Sequence, residues 1–327
     1  MRNKKRTDPV PNHPLADSGS SGPAVTAGAR SALASRFIDL VADKLIATEA
    51  VFRHHLSSDV PFIEKAGRYL AEGGGKRVRP ALLLLAARLL GHDGEEEVTY
   101  AAVVELIHTA TLIHDDVIDH AALRRALAHG QVEIIQRLCG ATLKMTEGEL
   151  LAFQRLGAAD LSVEEYFEII DRKTAHLFAA AASIPSLIPP QRPEAGQVLS
   201  RYGRSLGICF QLVDDLLDFT ARESDLGKPV LSDLKEGKLT LPLILLLPRV
   251  QAAQRRLVER VLEDRSFTRV SPQEILDLVA AEGTIEEVTA MAEEYAAEAK
   301  RELEVFPPSG AREALEFAPD FVLHRRS

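Results

Sequence analysis

Residues 210–219 are the most informative segment of this 327-residue chain, and they read Phe210-Gln211-Leu212-Val213-Asp214-Asp215-Leu216-Leu217-Asp218-Phe219. Gln211 and the three aspartates after it fall at i, i+3, i+4 and i+7, so a helix brings them to one face over two turns. The other residues are apolar, which predicts that this acidic face is poorly solvated. Hard divalent cations such as Mg²⁺ prefer carboxylate oxygens. The segment therefore predicts a helix that presents metal ligands.

The same Asp-Asp-x-x-Asp spacing occurs earlier in the chain, at the end of a strongly apolar stretch that begins near Val103. Asp115, Asp116 and Asp119 occupy an arc of about 100° within one helical turn. Carboxylates this close repel each other unless a cation lies between them. A solvated acidic face is the ordinary interpretation of one such cluster, but two copies in apolar surroundings favour metal. Facing each other across a cavity, the six carboxylates would hold several Mg²⁺ ions that clamp a diphosphate.

Basic residues follow a run of three glycines, Gly73–Gly75, that opens a helix. Lys76 and Arg79 lie there beside helix-start N–H groups, an arrangement that binds anions, although a basic surface loop is the alternative. His108 lies two turns before Asp115 on the same face, and a hydrogen-bonded core histidine is the alternative for it. The other basic candidates, each of which could instead be a surface residue, are Arg124, Arg125, Lys173, Lys228 and Lys238.

The composition favours helices, and the overall charge of the chain is negative. Ala and Leu dominate, and from Ser31 onward apolar residues recur at three- and four-residue spacing without a convincing strand. The chain has 39 basic and 48 acidic residues, a formal charge of −9, which disfavours nucleic-acid binding through counterion release. No apolar run reaches the roughly 20 residues of a membrane span. We interpret Cys139 and Cys209 as core residues of a protein in a reducing compartment.

The chain divides into a tail and one domain. Residues 1–30 are rich in Pro, Ser, Gly and charge and lack the apolar region of a secretory signal, so we expect a disordered tail. Residues 31–327 read as a single all-α domain. A cytoplasmic protein is the default expectation.

Taken together, these motifs resemble the polyprenyl synthetase family, the trans-isoprenyl diphosphate synthases, over about Ile46 to Arg325. The ordered set is Gly-Gly-Gly-Lys-Arg-x-Arg-Pro, His-Asp-Asp-x-x-Asp with Arg-Arg, Lys-Thr, and Gln-x-x-Asp-Asp-x-x-Asp with Gly-Lys-Pro and Glu-Gly-Lys. The resemblance implies an all-α isoprenoid-synthase-type bundle of long helices around a central cavity, usually a homodimer. It also implies a Mg²⁺-dependent prenyltransferase that condenses isopentenyl diphosphate with an allylic diphosphate, farnesyl or geranyl.

The resemblance further implies a role for each candidate side chain. The residues that resemble the isopentenyl diphosphate pocket are Lys76, Arg79 and His108, with Arg125 beside it. The implied contacts to the allylic diphosphate are Arg124, Lys173, Lys228 and Lys238. The implied Mg²⁺ ligands, for three ions with bound diphosphate, are Asp115, Asp116, Asp119, Asp214, Asp215 and Asp218. The implied catalytic groups near the reacting carbons are Lys173, Thr174 and Gln211.

Small residues precede the first aspartate set, where the growing prenyl chain of this family runs down the cavity. Thr111 and Ala110 lie four and five residues before Asp115 and provide no aromatic plug. We therefore predict a medium- or long-chain product, geranylgeranyl or longer, for example octaprenyl.

The chain departs from the family pattern after Arg125. Residues 126–130 lead straight into 131–138, so one long helix with its connection, about 25–30 residues, is absent. In family members that helix lines the cavity and the dimer interface, so its loss would expose apolar surface. A non-catalytic helical subunit or regulator of a prenyl synthase is therefore the alternative. A class I terpene cyclase is a third candidate, which the intact second aspartate set disfavours.

Overall fold

The computed structural model describes residues 38–55, 77–113, 132–220 and 229–324. These ranges are helical throughout their regular elements and contain no strand, which confirms the predicted fold class. Within the same ranges, no helix combines the length and apolar character that crossing a membrane requires. The predicted tail at 1–30 lies outside the described residues.

The helices follow one another in a simple order along the chain. The first six are α1 (Ala42–His55), α2 (Val78–Leu89), α3 (Glu96–Ile113), α4 (Val132–Gln154), α5 (Val163–Ile170) and α6 (His176–Ser183). The later ones are α7 (Pro193–Thr220), α8 (Ser232–Lys235), α9 (Leu241–Leu246), α10 (Ala252–Asp264), α11 (Pro272–Ala281), α12 (Thr284–Glu302) and α13 (Gly310–Leu323). Short 3₁₀ turns follow α6 and α12, at Ile184–Leu187 and Leu303–Val305.

Capping residues determine where several helices begin. The Ser162 hydroxyl accepts from the Glu165 backbone N–H, and the Glu165 carboxylate accepts from the Ser162 N–H, at 3.2 and 2.9 Å. This reciprocal pair satisfies two N–H groups that the first turn of α5 cannot use. Ser271 and Glu274 form the same capping box at the start of α11, where Pro272 occupies the first turn.

Helix α7 lies at the centre of the bundle and packs against α6, α12 and α13. Two glycines allow its close approach to α6, because a Cβ on Gly203 would lie 2.5 Å from the Phe178 carbonyl oxygen. A Cβ on Gly207 would lie 2.7 Å from Ala175 Cα. The fully buried Tyr202 donates to the Leu315 carbonyl at 2.7 Å and ties α7 to α13. The second aspartate set thus begins on a rigidly packed helix.

Helices α5 and α6 form one continuous helix that contains a single wide turn. The helix runs from Val163 to Ser183, and within it residues Asp171–Ala175 form a π-turn. There the backbone N–H of His176 donates to the Asp171 carbonyl five residues earlier. Such insertions within α-helices are frequent at functional sites. This one carries Lys173 and Thr174.

The two cysteines have different environments. Cys209 is buried in α7, as predicted. Cys139 is exposed on α4, so its interpretation as a core residue was wrong. The reason is that one whole side of α4 faces outward.

That outward side of α4 is apolar. Four large hydrophobic residues, each more than half exposed, recur along it at spacings of 11, 7 and 3 residues: Val132, Leu143, Leu150 and Phe153. These spacings place them, with Cys139, on one side of the helix. We call these five residues the α4 stripe.

Candidate active site

The second aspartate set lies near the end of α7, and its three members differ in exposure. Asp214 is exposed, whereas Asp215 and Asp218 retain 5% and 1% of their accessible surface. The predicted single acidic face is therefore divided into one solvent-facing carboxylate and two buried ones.

The Asp215 carboxylate receives a hydrogen bond at each oxygen. The Tyr166 hydroxyl donates to Oδ2 at 2.6 Å, and Gln211 Nε2 donates to Oδ1 at 2.8 Å. The Gln211 carbonyl in turn accepts from the Thr174 hydroxyl at 2.8 Å. A chain of hydrogen bonds thus runs from the π-turn to Asp215, and it brings together three residues that the sequence selected. Tyr166, 4% exposed, is a fourth member that the sequence reasoning missed.

Burial raises the pKa of Asp215 to about 7, and the nearby carboxylates of Asp233 and Asp214 raise it too. The hydrogen bonds from Tyr166 and Gln211 act in the opposite direction. Ionised Asp215 is therefore costly to the protein alone, because a low-dielectric site holds several negative charges. A divalent cation with a preference for oxygen ligands would relieve that cost, so the residues fit Mg²⁺.

Asp218 has a different set of partners. Its Oδ1 accepts from the Ser232 backbone N–H at 3.1 Å and from the Ser232 hydroxyl at 2.7 Å. Its Oδ2 accepts from the Asp233 backbone N–H at 3.1 Å. This buried carboxylate therefore anchors the start of α8 and fixes the segment that carries Asp233 next to Asp215. Its assignment as a Mg²⁺ ligand remains a prediction.

Two of the predicted lysines lie close to acidic side chains. Lys238 Nζ lies 2.6 Å from Glu236 Oε2 and 3.5 Å from Asp233 Oδ1. Burial lowers the pKa of Lys238, but the hydrogen bonds and charges of these two carboxylates outweigh burial and raise it overall. Lys173 Nζ lies 2.6 Å from Glu149 Oε2 on α4. Asp233 thereby connects Lys238 to the second aspartate set.

Arg79 and His108 form a basic corner with one permanent charge. Burial lowers the pKa of Arg79 to about 10, partly offset by Glu105 and Asp214, so the guanidinium stays charged. It lies over the Phe178 ring at 4.7 Å, and its buried Nε has no hydrogen-bond partner in the described part of the chain. Burial, with the nearby Arg79 charge, lowers the pKa of His108 to about 3, so this imidazole is neutral at pH 7. An unused buried donor on a charged guanidinium suits an anionic ligand.

Arg77, in the same basic motif, has a structural role. Its Nε donates to Glu49 Oε2 at 2.9 Å and its Nη1 donates to Glu105 Oε1 at 2.8 Å. Its φ of 46° is in the left-handed region, at the residue before α2 begins. These contacts join α1, α2 and α3 and support the turn that leads to Arg79.

Several predicted site residues lie outside the described ranges and stay predictions: Lys76, Asp115, Asp116, Asp119, Arg124, Arg125 and Lys228. The backbone of Ala110 and Thr111 belongs to α3. Within the described ranges alone, no three His, Cys, Asp or Glu side chains converge enough to hold an ion. The second aspartate set would therefore need ligands from elsewhere, and the first aspartate set is the predicted source.

Comparison with known proteins gives consistent matches over most of the chain. The sequence profile of the polyprenyl synthetase family matches residues 60–128 and 126–279. An octaprenyl diphosphate synthase of Escherichia coli is 35% identical over 305 positions, covering 85% of this chain and 94% of that protein. A short chain isoprenyl diphosphate synthase of Methanothermobacter thermautotrophicus is 33% identical, covering 80% of this chain and 90% of its own.

Solved structures give the same result. A polyprenyl synthase of Caulobacter crescentus, complexed with calcium and isoprenyl diphosphate, superposes with a TM-score of 0.83 at 33% identity. That match covers 90% of this chain and 98% of the other. A decaprenyl diphosphate synthase of Rhodobacter capsulatus superposes with a TM-score of 0.81 at 31% identity, covering 90% and 99%.

The matches also contain a gap. The alignment with the E. coli protein spans 305 positions, whereas 85% of 327 residues is about 278, so about 27 aligned positions have no residue of this chain. The two segments of the profile match meet at residues 126–128. These segments overlap next to Arg125, after which a family helix is predicted to be absent, and that absence stays a prediction.

Proposed function

Because the chain belongs to the polyprenyl synthetase family, we propose that it condenses isopentenyl diphosphate with an allylic diphosphate to make a medium- or long-chain trans-polyprenyl diphosphate. The observation that carries the proposal is the hydrogen-bonded chain from Thr174 through Gln211 to Asp215. It joins the Lys-Thr motif to the second aspartate set across two helices. Lys238 and exposed Asp214 lie beside it, which provides both signs of charge at one site.

Each diphosphate would have its own basic group. Arg79, with its charged guanidinium and unpartnered Nε, is the proposed contact for isopentenyl diphosphate, and neutral His108 adds a polar group without a second charge. Lys173 and Lys238 are the proposed contacts for the allylic diphosphate. Both now pair with carboxylates, so each would exchange a glutamate partner for a phosphate oxygen.

The aspartates would hold Mg²⁺, which when bound supplies positive charge that neutralises the departing diphosphate. The proposed ligands are Asp115, Asp116, Asp119, Asp214, Asp215 and Asp218. Tyr166 and Gln211 would orient the Asp215 oxygens, because each oxygen already receives one hydrogen bond.

The reaction itself makes one carbon–carbon bond. The allylic C–O bond breaks, and the double bond of isopentenyl diphosphate attacks the resulting allylic cation. Loss of a proton, to the departing diphosphate, restores a double bond. The oxygens of Thr174 and Gln211, next to Asp215, are suitable dipoles for the cation. The protein contributes mainly positioning and preorganised charge.

We also propose a homodimer that uses the α4 stripe. Five neighbouring residues with four large apolar side chains are an unusual surface for a monomer, because exposed apolar patches generally mark interaction sites. Replacing the central residue, Leu143→Glu, would bury a charge at a two-fold interface. We expect the variant to sediment as a monomer at concentrations at which the unmodified protein is a dimer. A monomeric unmodified protein would contradict this interface.

Turnover is the direct test of the function. The protein is incubated with Mg²⁺, isopentenyl diphosphate and farnesyl diphosphate, and the extracted prenyl products are separated by chain length. We expect products longer than farnesyl that disappear when EDTA is added. Absence of product from folded protein would contradict the proposal and favour a non-catalytic subunit.

A further inference from the structure

Helix α4 contacts the backbone of the π-turn at a single glycine. Gly148 is buried, and a Cβ added to it would lie 2.6 Å from the Lys173 backbone nitrogen and 2.9 Å from Arg172 Cβ. No side chain larger than hydrogen fits there without moving the turn, since separations below 3.0 Å require a shift. Gly148 therefore determines how closely α4 and the π-turn approach.

The residues on either side of Gly148 hold the lysine of the Lys-Thr motif and the arginine just before it. Glu147 pairs with Arg172, and Glu149 pairs with Lys173 at 2.6 Å. Three consecutive residues of α4 thus contact two consecutive residues of the π-turn, through one backbone contact and two ion pairs.

The opposite side of the π-turn is held by α7. Gly207 provides the close contact to Ala175, and the Thr174 hydroxyl donates to Gln211. Arg204 Nε donates to the Asp171 carboxylate at 2.6 Å. The wide turn is therefore fixed between two helices, each of which approaches it at a glycine.

We propose that Gly148 is a positioning residue for Lys173 and Thr174. This inference rests on the proposed function, in which Lys173 contacts the allylic diphosphate. A side chain at position 148 pushes the turn away from α4, so the Lys173 amine leaves its place beside Glu149 and the Thr174 hydroxyl leaves its place beside Gln211. A displacement of about 1 Å at a reacting site costs as much as 100-fold in rate.

The test compares two glycines of one helix. Gly148→Ala should lower kcat about 10- to 100-fold and raise KM for the allylic diphosphate, while KM for isopentenyl diphosphate stays unchanged. Gly140→Ala is the matched control, because Gly140 is exposed on α4 and nothing lies within 4 Å of its added Cβ. We expect unchanged turnover for this control. Equal kcat for Gly148→Ala and the unmodified protein would overturn the inference.

A double-variant cycle separates positioning from general destabilisation. Lys173→Met removes one of the two groups that Gly148 positions, so adding Gly148→Ala should lower activity by clearly less than the factor it causes in the unmodified protein. Full multiplication of the two losses would mean that Gly148 acts elsewhere, and would overturn the inference. If Lys173→Met alone keeps full activity, the proposed role of Lys173 fails, and the inference fails with it.

Binding of inorganic pyrophosphate in the presence of Mg²⁺, measured by calorimetry, gives a readout without turnover. Gly148→Ala and Lys173→Met should weaken it by similar factors, and the double variant should be no weaker. This binding measurement tests the role of Gly148 even if the protein makes no product. Unmodified protein that neither turns over nor binds pyrophosphate would overturn both the proposed function and the role of Gly148. Should Gly148→Ala not fold, Glu147→Gln replaces it, since that side chain is partly exposed and its ion pair with Arg172 holds the turn against α4 beside Gly148. Its kcat should fall about 3- to 10-fold, and an unchanged value would overturn the inference.

Discussion

Replacing Asp215 by asparagine should stabilise the metal-free protein while abolishing its Mg²⁺-dependent turnover. Burial and neighbouring carboxylates raise the pKa of Asp215 from 3.8 to about 7. At about 1.4 kcal/mol per pKa unit, the ionised carboxylate costs the folded state about 4 kcal/mol at pH 8. Asparagine has nearly the same shape and carries no charge, so the variant avoids this cost.

The hydrogen bonds around Asp215 can adapt to the amide. Its oxygen can accept from Tyr166, and its nitrogen can donate to the Gln211 carbonyl once that side chain turns over. The Gln211 amide nitrogen then donates to the Thr174 hydroxyl, which can also act as an acceptor. Because no buried polar group loses its partner, the stabilisation should not be cancelled by an unmade hydrogen bond.

The pH dependence has a definite sign. A carboxyl whose pKa is raised on folding favours the folded state when it is protonated, so its contribution is fully present below pH 3.8 and is lost as pH rises to about 7. The advantage of Asp215→Asn should therefore be about 4 kcal/mol at pH 8, about 2 kcal/mol at pH 5.5 and less than about 1 kcal/mol at pH 4.

Urea unfolding in EDTA at these three pH values measures the differences. Asp214→Asn is the matched control, since its side chain is exposed and surface changes usually stay within about 0.5 kcal/mol. With Mg²⁺ and pyrophosphate added, the unmodified protein should gain stability that Asp215→Asn does not. A variant that is no more stable than the unmodified protein at pH 8, or equally more stable at all three pH values, would refute the reasoning.

Three further substitutions test other parts of the site. Tyr166→Phe removes the 2.6 Å hydrogen bond to Asp215 and should lower the free energy of unfolding at pH 8 by about 1.5–3 kcal/mol, measured by urea titration. The variant should also need a higher Mg²⁺ concentration for turnover. If neither value changes, Tyr166 is not part of the site. Arg79→Gln removes a charge-assisted contact and should raise KM for isopentenyl diphosphate at least about 10-fold in steady-state kinetics. An equal rise in KM for the allylic substrate would contradict the assignment of Arg79 to isopentenyl diphosphate. Ala110→Phe should shorten the products seen by chromatography, and unchanged product length would reject the small-residue argument.

The all-α fold class could be predicted from the sequence because it depends on the spacing of residues within short segments. Apolar residues at three- and four-residue intervals and two aspartate sets in apolar surroundings are properties of short segments. They predicted the helix that carries Asp214, Asp215 and Asp218, and the family matches support the same class. Residues 171–175 show the limit of this reasoning, because nothing in the local pattern separates a π-turn from a regular turn.

The environment of each charged group depends on distant residues. Asp215 has its hydroxyl donor, Tyr166, 49 positions away, and Asp218 has its backbone donors 14 and 15 positions away. A cysteine on a helical stretch was assigned to the core because spacing alone does not say which side of α4 faces outward. Burial likewise lowers the pKa of both Arg79 and His108, and only Arg79 stays charged at pH 7, because its ordinary pKa is so much higher.

Helical periodicity and the types of chemical group were thus encoded in short runs of residues, since both depend on neighbours within two turns. The packed bundle alone determined the exposure of Asp214, the protonation states of Asp215 and His108, and the wide turn held at Gly148. Desolvation, Coulombic interaction and steric contact act through space, and they join residues that the chain keeps far apart.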